Sequence, residues 1–463
     1  MKMWPTLNSR LSWSRVLWAC ALSGYVLLSA CAAFRGGYVG PDYWTHLARI
    51  LDHTRFFDYA MADPPIYVLL GNGFFQLIGK NNGLPITLSI LQAVINAIAM
   101  WWFFLYTERR FKSPVLHLAL VFVLTFLPSR ILHCAVLGTD WMTIPVFVLL
   151  LFVFEKFLSD ETSTPKNAAF LGLALALGMW SKYSFMALLP AIFLLFVFWW
   201  WKRAWNWKKF VAICALSLVL PTALVLHSYW ASTRAKGAAA HSMWLPKGGI
   251  PGHPEMNWKD LLWLKARDVE LFRAPEYFKY GQHNTPDYLK YNIRAAHKHS
   301  YLAKSHMATF TDTMNLFQDL PGPQSLDRIL IPDLKTRRPW KTPVMVASMS
   351  LGVLWTVLAL IGTAWVSIGA VRHLWKDKLE REDGAAFLAI AFFLLMFLPI
   401  PFLLFSDHTG AFLPRLILVP QLYFFWCGFL LLDRTIVARW GKSAFVFLAL
   451  ALVQSGIVIV MLS

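Results

Sequence analysis

The stretch Ala168–Trp201, AAFLGLALALGMWSKYSFMALLPAIFLLFVFWWW, decides the fold. Lys182 is its one charged residue, and the run is long enough for two passages of a hydrocarbon core about 30 Å thick. Comparable runs cover Val16–Phe34, Ile86–Tyr106, Val115–Pro128, Trp141–Phe154, Phe210–Tyr229, Val344–Val371, Ala385–Phe405, Leu416–Leu432 and Ser443–Leu462. A nineteen-residue hydropathy window gives about eleven spans in all. Composition agrees: 57% of residues are hydrophobic and 15% charged, with mean hydropathy +0.51. Soluble domains carry roughly 25% charged residues. The chain is therefore expected to be an all-α integral membrane protein.

A formal charge of +18 would point to nucleic acid in a soluble protein. Here the basic residues stand at span ends. Lys2, Arg10 and Arg15 precede the first span, and Arg109, Arg110 and Lys112 follow the second. Lys202, Arg203, Lys208 and Lys209 follow the sixth; Arg372, Lys376, Lys378 and Arg381 follow the eighth; Arg434, Arg439 and Lys442 follow the tenth. This alternation predicts a multi-pass protein with a cytoplasmic N-terminus, and topology rather than a nucleic-acid partner explains the charge. Trp199, Trp200, Trp201, Trp205 and Trp207 cluster at one such boundary, as amphipathic rings at headgroup depth do. The five cysteines show no metal or disulfide spacing. Leu28-Ser29-Ala30-Cys31 has the look of a lipoprotein cleavage site, but a first transmembrane helix ending in small residues is the reading preferred.

Three regions follow: an N-terminal membrane module over 1–229, a non-cytoplasmic segment over 230–341, and C-terminal transmembrane helices over 342–463. Within the first, the outer segment 35–85 contains Thr45–Leu51 and Pro65–Leu77, whose apolar residues recur at helical spacing. Such pieces are expected to lie along the membrane surface. The segment 230–341 is too long to be structureless. It is expected to form a helical cap, with Asp260–Leu271 and Pro286–Met307 as its helices.

Ionisable residues at membrane depth are functional hypotheses by default. Asp42 follows the first span within Tyr38-Val39-Gly40-Pro41-Asp42-Tyr43, and Asp63 precedes Pro64-Pro65; each also suits a helix N-cap. Asp140 precedes the fourth span, with Arg130 and His133 expected in the same short loop. Lys182 lies where the fifth span emerges, and as an isolated residue would simply snorkel. Asp407, His408 and Arg415 lie between the ninth and tenth spans. The topology puts all of them at one outward face, where carboxylates interspersed with cations suit an anionic lipid headgroup and a proton transfer.

These residues resemble the polyprenyl-phosphate-dependent glycosyltransferases of the C superfamily (the GT-C fold), including the dolichyl-phosphate-mannose–protein mannosyltransferases and the lipid A aminoarabinose transferases. The likeness covers roughly Tyr38 to Pro190. It is carried by Gly40-Pro41-Asp42-Tyr43, Phe56-Phe57, Asp63-Pro64-Pro65-Ile66-Tyr67-Val68-Leu69-Leu70 and Phe74-Phe75-Gln76-Leu77-Ile78-Gly79. The Thr139-Asp140 step, Gly172-Leu173-Ala174, Ser181-Lys182-Tyr183-Ser184 and Leu189-Pro190 continue it. The resemblance implies a glycosyltransferase that takes a polyprenyl-phosphate sugar donor among membrane lipids and glycosylates a protein, lipid or glycan at the periplasmic face. It implies Asp42 as the first-loop catalytic aspartate and Asp140 as the acid before the fourth span. Asp63 falls where some relatives bind a divalent metal ion, with His306 or another histidine of the long segment as a partner. Lys182 matches a recurrent lysine. Tyr43 replaces a common glutamate, and Pro64 replaces a lysine that binds the donor phosphate in some relatives, leaving that task to Lys182, Arg130 or Arg415. His297, His299, His306 and Asp312 lie in the long segment, which is expected to cover the site and select the acceptor. A transporter or flippase of lipid-linked sugars would need similar headgroup contacts.

Overall fold

The computed structural model describes residues 13–37, 43–51, 65–79, 83–158, 164–182, 185–186, 188–202, 205–236, 264, 266–269, 272, 301–311, 341–376, 383, 386–388, 391 and 413–462. Every regular element among them is a helix. In chain order they are α1 (Trp13–Ala32), α2 (Tyr43–Leu51), α3 (Pro65–Ile78), α4 (Leu84–Glu108), α5 (Pro114–Thr125), α6 (Pro128–Ala135), α7 (Thr143–Leu158) and α8 (Pro165–Ser181). There follow α9 (Leu188–Lys202), α10 (Trp207–Cys214), α11 (Leu220–Lys236), α12 (Tyr301–Phe310), α13 (Lys341–Trp375), α14 (Leu413–Leu432) and α15 (Ser443–Leu462).

Six helical stretches are long and apolar enough to cross a membrane: Trp13–Arg35, Leu84–Glu108, Asp140–Leu158, Trp207–His227, Pro343–Trp375 and Ser443–Leu462. The pair α5–α6, bent by 44°, makes a seventh if taken as one span. This is the count among the described residues, against about eleven expected. The Ala168–Trp201 run divides into α8 and α9, and Leu416–Leu432 falls within α14. Most of Ala385–Phe405 lies outside the described residues. α1 continues unbroken through Leu28–Cys31, as a transmembrane helix would. Thr45–Leu51 and Pro65–Leu77 are helical as read from their periodicity. Of the long segment, Ala266–Val269 forms a short 3₁₀ turn, and α12 covers the end of the expected Pro286–Met307 helix and runs three residues past it.

Proline sets several boundaries. Ser113 caps α5 by accepting a hydrogen bond from the Leu116 amide at 3.2 Å, with Pro114 in the first turn. Pro128 forces Leu127 into extended backbone (φ −72°, ψ 124°), so the chain bends between α5 and α6. From Leu116 to its C-terminus α5 is buried almost all round, among α1, α14 and α15. A helix apolar on every side belongs in such a position.

Two groups of charges meet at one end of the bundle. Arg15 pairs with Glu108 at 2.9 Å and Arg110 with Glu155 at 3.2 Å. The buried carboxylate of Asp433, just after α14, accepts hydrogen bonds from the amides of Lys112 (2.8 Å) and Ser113 (3.0 Å). The start of α1, the ends of α4, α7 and α14 and the start of α5 therefore share one side, as the alternation of basic span ends requires. α13 and α14 cross with their backbones in contact: a Cβ at Gly362 would collide with Cys427 and Gly428, and one at Gly428 would collide with Leu358 and Ala359. Small residues permit this approach.

Candidate active site

The opposite end holds four of the ionisable residues singled out in the sequence: Arg130, His133, Asp140 and Lys182. α6 is a helix of eight residues, all buried, that carries Arg130, His133 and Cys134. Arg130 and His133 stand three apart, hence on neighbouring positions of one face. The chain leaves α6 at Val136 in extended backbone, passes Gly138, and re-enters helix through the single 3₁₀ turn Asp140–Met142 that opens α7. Thr143 secures this turn, its hydroxyl donating to the Asp140 carbonyl at 2.6 Å.

Lys182 arrives from another direction. Its amide closes the last turn of α8 by donating to Gly178 at 2.8 Å, and its own backbone is extended (φ −162°, ψ 128°). Gly178 leaves room for the Phe185 ring, which folds back over the helix end. The Lys182 ammonium is in ion-pair contact with the Asp140 carboxylate, and His133 Nδ1 lies 3.9 Å from the other Asp140 oxygen. The side chains of Lys182 and Asp140 are only 16% and 12% exposed, so water screens the pair little. Lys182 is thus not a snorkelling residue. Removing one partner of a buried pair strands the other charge, at a cost of about 3–5 kcal/mol. Lys182→Met is therefore expected to lower the melting temperature of the purified protein clearly. Adding Asp140→Asn to it should recover most of the loss, because no charge then remains to be stranded.

Arg130 contrasts with that pair. It is fully buried, and among the described residues no acceptor lies within hydrogen-bond reach of any of its three guanidinium nitrogens. Its surroundings are weakly polar. Tyr25 of α1 shares a hydrogen bond with Cys134 at 2.6 Å, both close enough to Arg130 to interact with its charge. Ser89 of α4 donates to the Ala135 carbonyl at 2.6 Å and fixes the far end of α6. A lone guanidinium at membrane depth is expensive.

The helices α2 and α3 roof this corner. Gly71 and Asn72 of α3 seat Ile50 of α2, the Asn72 amide donating to the Ile50 carbonyl at 2.8 Å. His46 of α2 is buried beside Gly138 and meets Tyr67 of α3 edge-on at 5.4 Å. Tyr67 in turn meets Trp141, the neighbour of Asp140, edge-on at 6.4 Å. Nothing in the sequence marks out His46 or Tyr25 by charge, and Tyr67 enters only as part of the stretch Asp63–Leu70. The pattern of His46, Leu47 and Ile50 along one face of α2 was the available signal for His46.

Asp42 and Asp63 lie outside the described residues, as do His297, His299, Asp312, Asp407 and His408. Asp42 directly precedes α2, and Arg415 stands in the first turn of α14. His306 does not suit the metal role expected of it. Its Nε2 faces the Met349 carbonyl at 3.0 Å and must donate there, while Nδ1 is 2.8 Å from the Thr356 hydroxyl and accepts from it. Neither nitrogen keeps a lone pair for a metal. Among the described residues no three His, Cys, Asp or Glu side chains form a metal-binding group.

Residues 62–230 match the model of the dolichyl-phosphate-mannose-protein mannosyltransferase family. The match takes in α3 to α10 and most of α11, and with them Asp63, Arg130, His133, Asp140 and Lys182, while Asp42 lies ahead of it. The resemblance read from the sequence is borne out over that part of the chain. It supports a multi-pass membrane glycosyltransferase of the GT-C type. Comparison with curated proteins and with solved structures gives no match.

Proposed function

We propose that this protein transfers a sugar from a polyprenyl-phosphate donor to an acceptor hydroxyl at the outer face of the membrane, by one inverting displacement. The observation that carries the reading is the buried guanidinium of Arg130, which has no hydrogen-bond partner among the described residues and shares α6 with His133 of the Asp140–Lys182–His133 cluster. A fixed cation in a low-dielectric site stabilises charge developing on a departing phosphate. Lys182, also expected to bind phosphate, has its charge engaged by Asp140, so Arg130 is the principal phosphate ligand and Arg415 a second.

In the displacement, the acceptor oxygen bonds to the anomeric carbon as the bond from that carbon to the phosphate oxygen breaks. The electron pair leaves with the polyprenyl phosphate, held by Arg130. The hydroxyl proton passes to the Asp42 carboxylate. Asp140, in ion-pair contact with Lys182, orients the acceptor or Asp42.

The test uses purified full-length protein in nanodiscs with labelled polyprenyl-phosphate mannose. A transferase moves the label to an acceptor or to water and releases polyprenyl phosphate; a flippase leaves the glycosyl–phosphate bond intact. Removing an orphan buried charge does not destabilise a fold, so Arg130→Met should be at least as stable as the wild type. Its affinity for the donor lipid should fall roughly 30-fold or more, since a buried charge contact is lost. Unchanged donor affinity in this variant would refute the phosphate role.

A further inference from the structure

At the first turn of α6, where Ser129 immediately precedes Arg130, lies a neutral polar junction of three helices. The side-chain amide of Gln421, in α14, donates to Ser129 Oγ of α6 at 3.4 Å and to Thr309 Oγ1 of α12 at 3.3 Å. The Thr309 hydroxyl directs its own proton to the Ser305 carbonyl at 2.8 Å, so it can only accept from Gln421. That fixes which way the amide points. Gln421 Oε1 is then left buried without a donor among the described residues, and so is the Ser305 hydroxyl one turn back on α12. Gln421, Ser129, Thr309 and Ser305 are all at least nine-tenths buried.

A purely structural tie would be poorly made here. Both bonds are longer than the usual 2.9–3.0 Å, and a stranded acceptor is costly, so an apolar side chain of the same size would pack at least as well. What Gln421 does achieve is a link between elements from three separated parts of the chain. α12 comes from the long outer segment, and α6 carries the guanidinium. Ser89 holds the C-terminal end of α6, whereas Ser129, at its second residue, meets Gln421.

We propose that Gln421 is a positioning residue that couples the seating of α12 to the placement of Arg130. The long segment that carries α12 thereby adjusts donor-phosphate binding through α6. This rests on the proposed role of Arg130 as the phosphate ligand.

The test measures binding of bare polyprenyl phosphate, and donor and acceptor KM, for full-length protein in nanodiscs. Gln421→Met keeps length and volume, so its melting temperature should stay near that of the wild type. Affinity for polyprenyl phosphate should fall about tenfold and donor KM rise to match, with acceptor KM unchanged, because a small displacement of a binding group is enough for that. Thr309→Val should act alike, and the double variant should be no worse than either single one, as expected of groups acting as a unit. Wild-type affinity in Gln421→Met, or a stability loss with donor KM unchanged, or additive effects of the two substitutions, would overturn the coupling alone. Failure of the wild type itself to bind polyprenyl phosphate would overturn the reading of Arg130 and this inference with it.

Discussion

Asp42→Asn is expected to cut turnover by about 10²–10⁴-fold while membrane insertion, yield and donor affinity stay at wild-type levels. The choice of asparagine separates two explanations of the residue. Asp42 stands immediately before α2, a position where a carboxylate can also act merely as a helix cap. Asparagine caps about as well as aspartate, so a capping role predicts no change. It cannot take up a proton, so a general base is lost outright. Normal transfer by the variant would leave Asp42 a cap and return the search for the base to Asp140. α2 is a reasonable carrier for such a group, because its His46 packs beside Gly138, two residues from Asp140.

Gly362→Leu should abolish recovery of folded protein. Any side chain there must enter the backbone of α14 at Cys427 and Gly428, and Gly428 presses back on Leu358 in the same way. Neither neighbour is the flexible end of a side chain, so the two helices must separate along their crossing. Overpacking with backbone displacement puts the penalty above about 4 kcal/mol, at the exceptional end for single substitutions. Gly369 supplies the control. It lies on the same helix, and a Cβ there meets nothing within 4 Å. Gly369→Leu should therefore purify as a monodisperse species with the wild-type melting temperature. If both leucine variants behave alike, tight crossing is not what holds α13 to α14.

What could be read in advance followed local chemistry. The amphipathic helices α2 and α3 were visible in their periodicity, and the break after α5 was visible as Pro128. Charge at span ends told which helix termini share a side, and so placed Asp140 and Lys182 together before any contact was known. Their direct pairing was not legible. Forty-two positions separate them in the sequence, and only the packing of α7 on α8 decides that Lys182 answers a carboxylate rather than a phosphate. His306 falls in the expected helical cap with a metal role in view, yet α12 packs its Met307 and Phe310 into the helix bundle, and α13 occupies both imidazole nitrogens. Gln421 escaped notice because an uncharged side chain barely perturbs a hydropathy profile. The glycines of α13 and α14 were equally silent, since closeness of two backbones leaves no trace in either helix alone.

The carboxylate of Asp433 has a consequence for biogenesis. The amides it receives, at Lys112 and Ser113, leave the ribosome some 320 residues earlier. Until the tenth apolar stretch is threaded, the start of α5 must wait in the bilayer with those donors answered by water or lipid. The early helices therefore complete their assembly only after late ones arrive, and a fragment ending near residue 236 would be left open at that seam. The portion that matches the mannosyltransferase family is in this sense unfinished without the helices that close it.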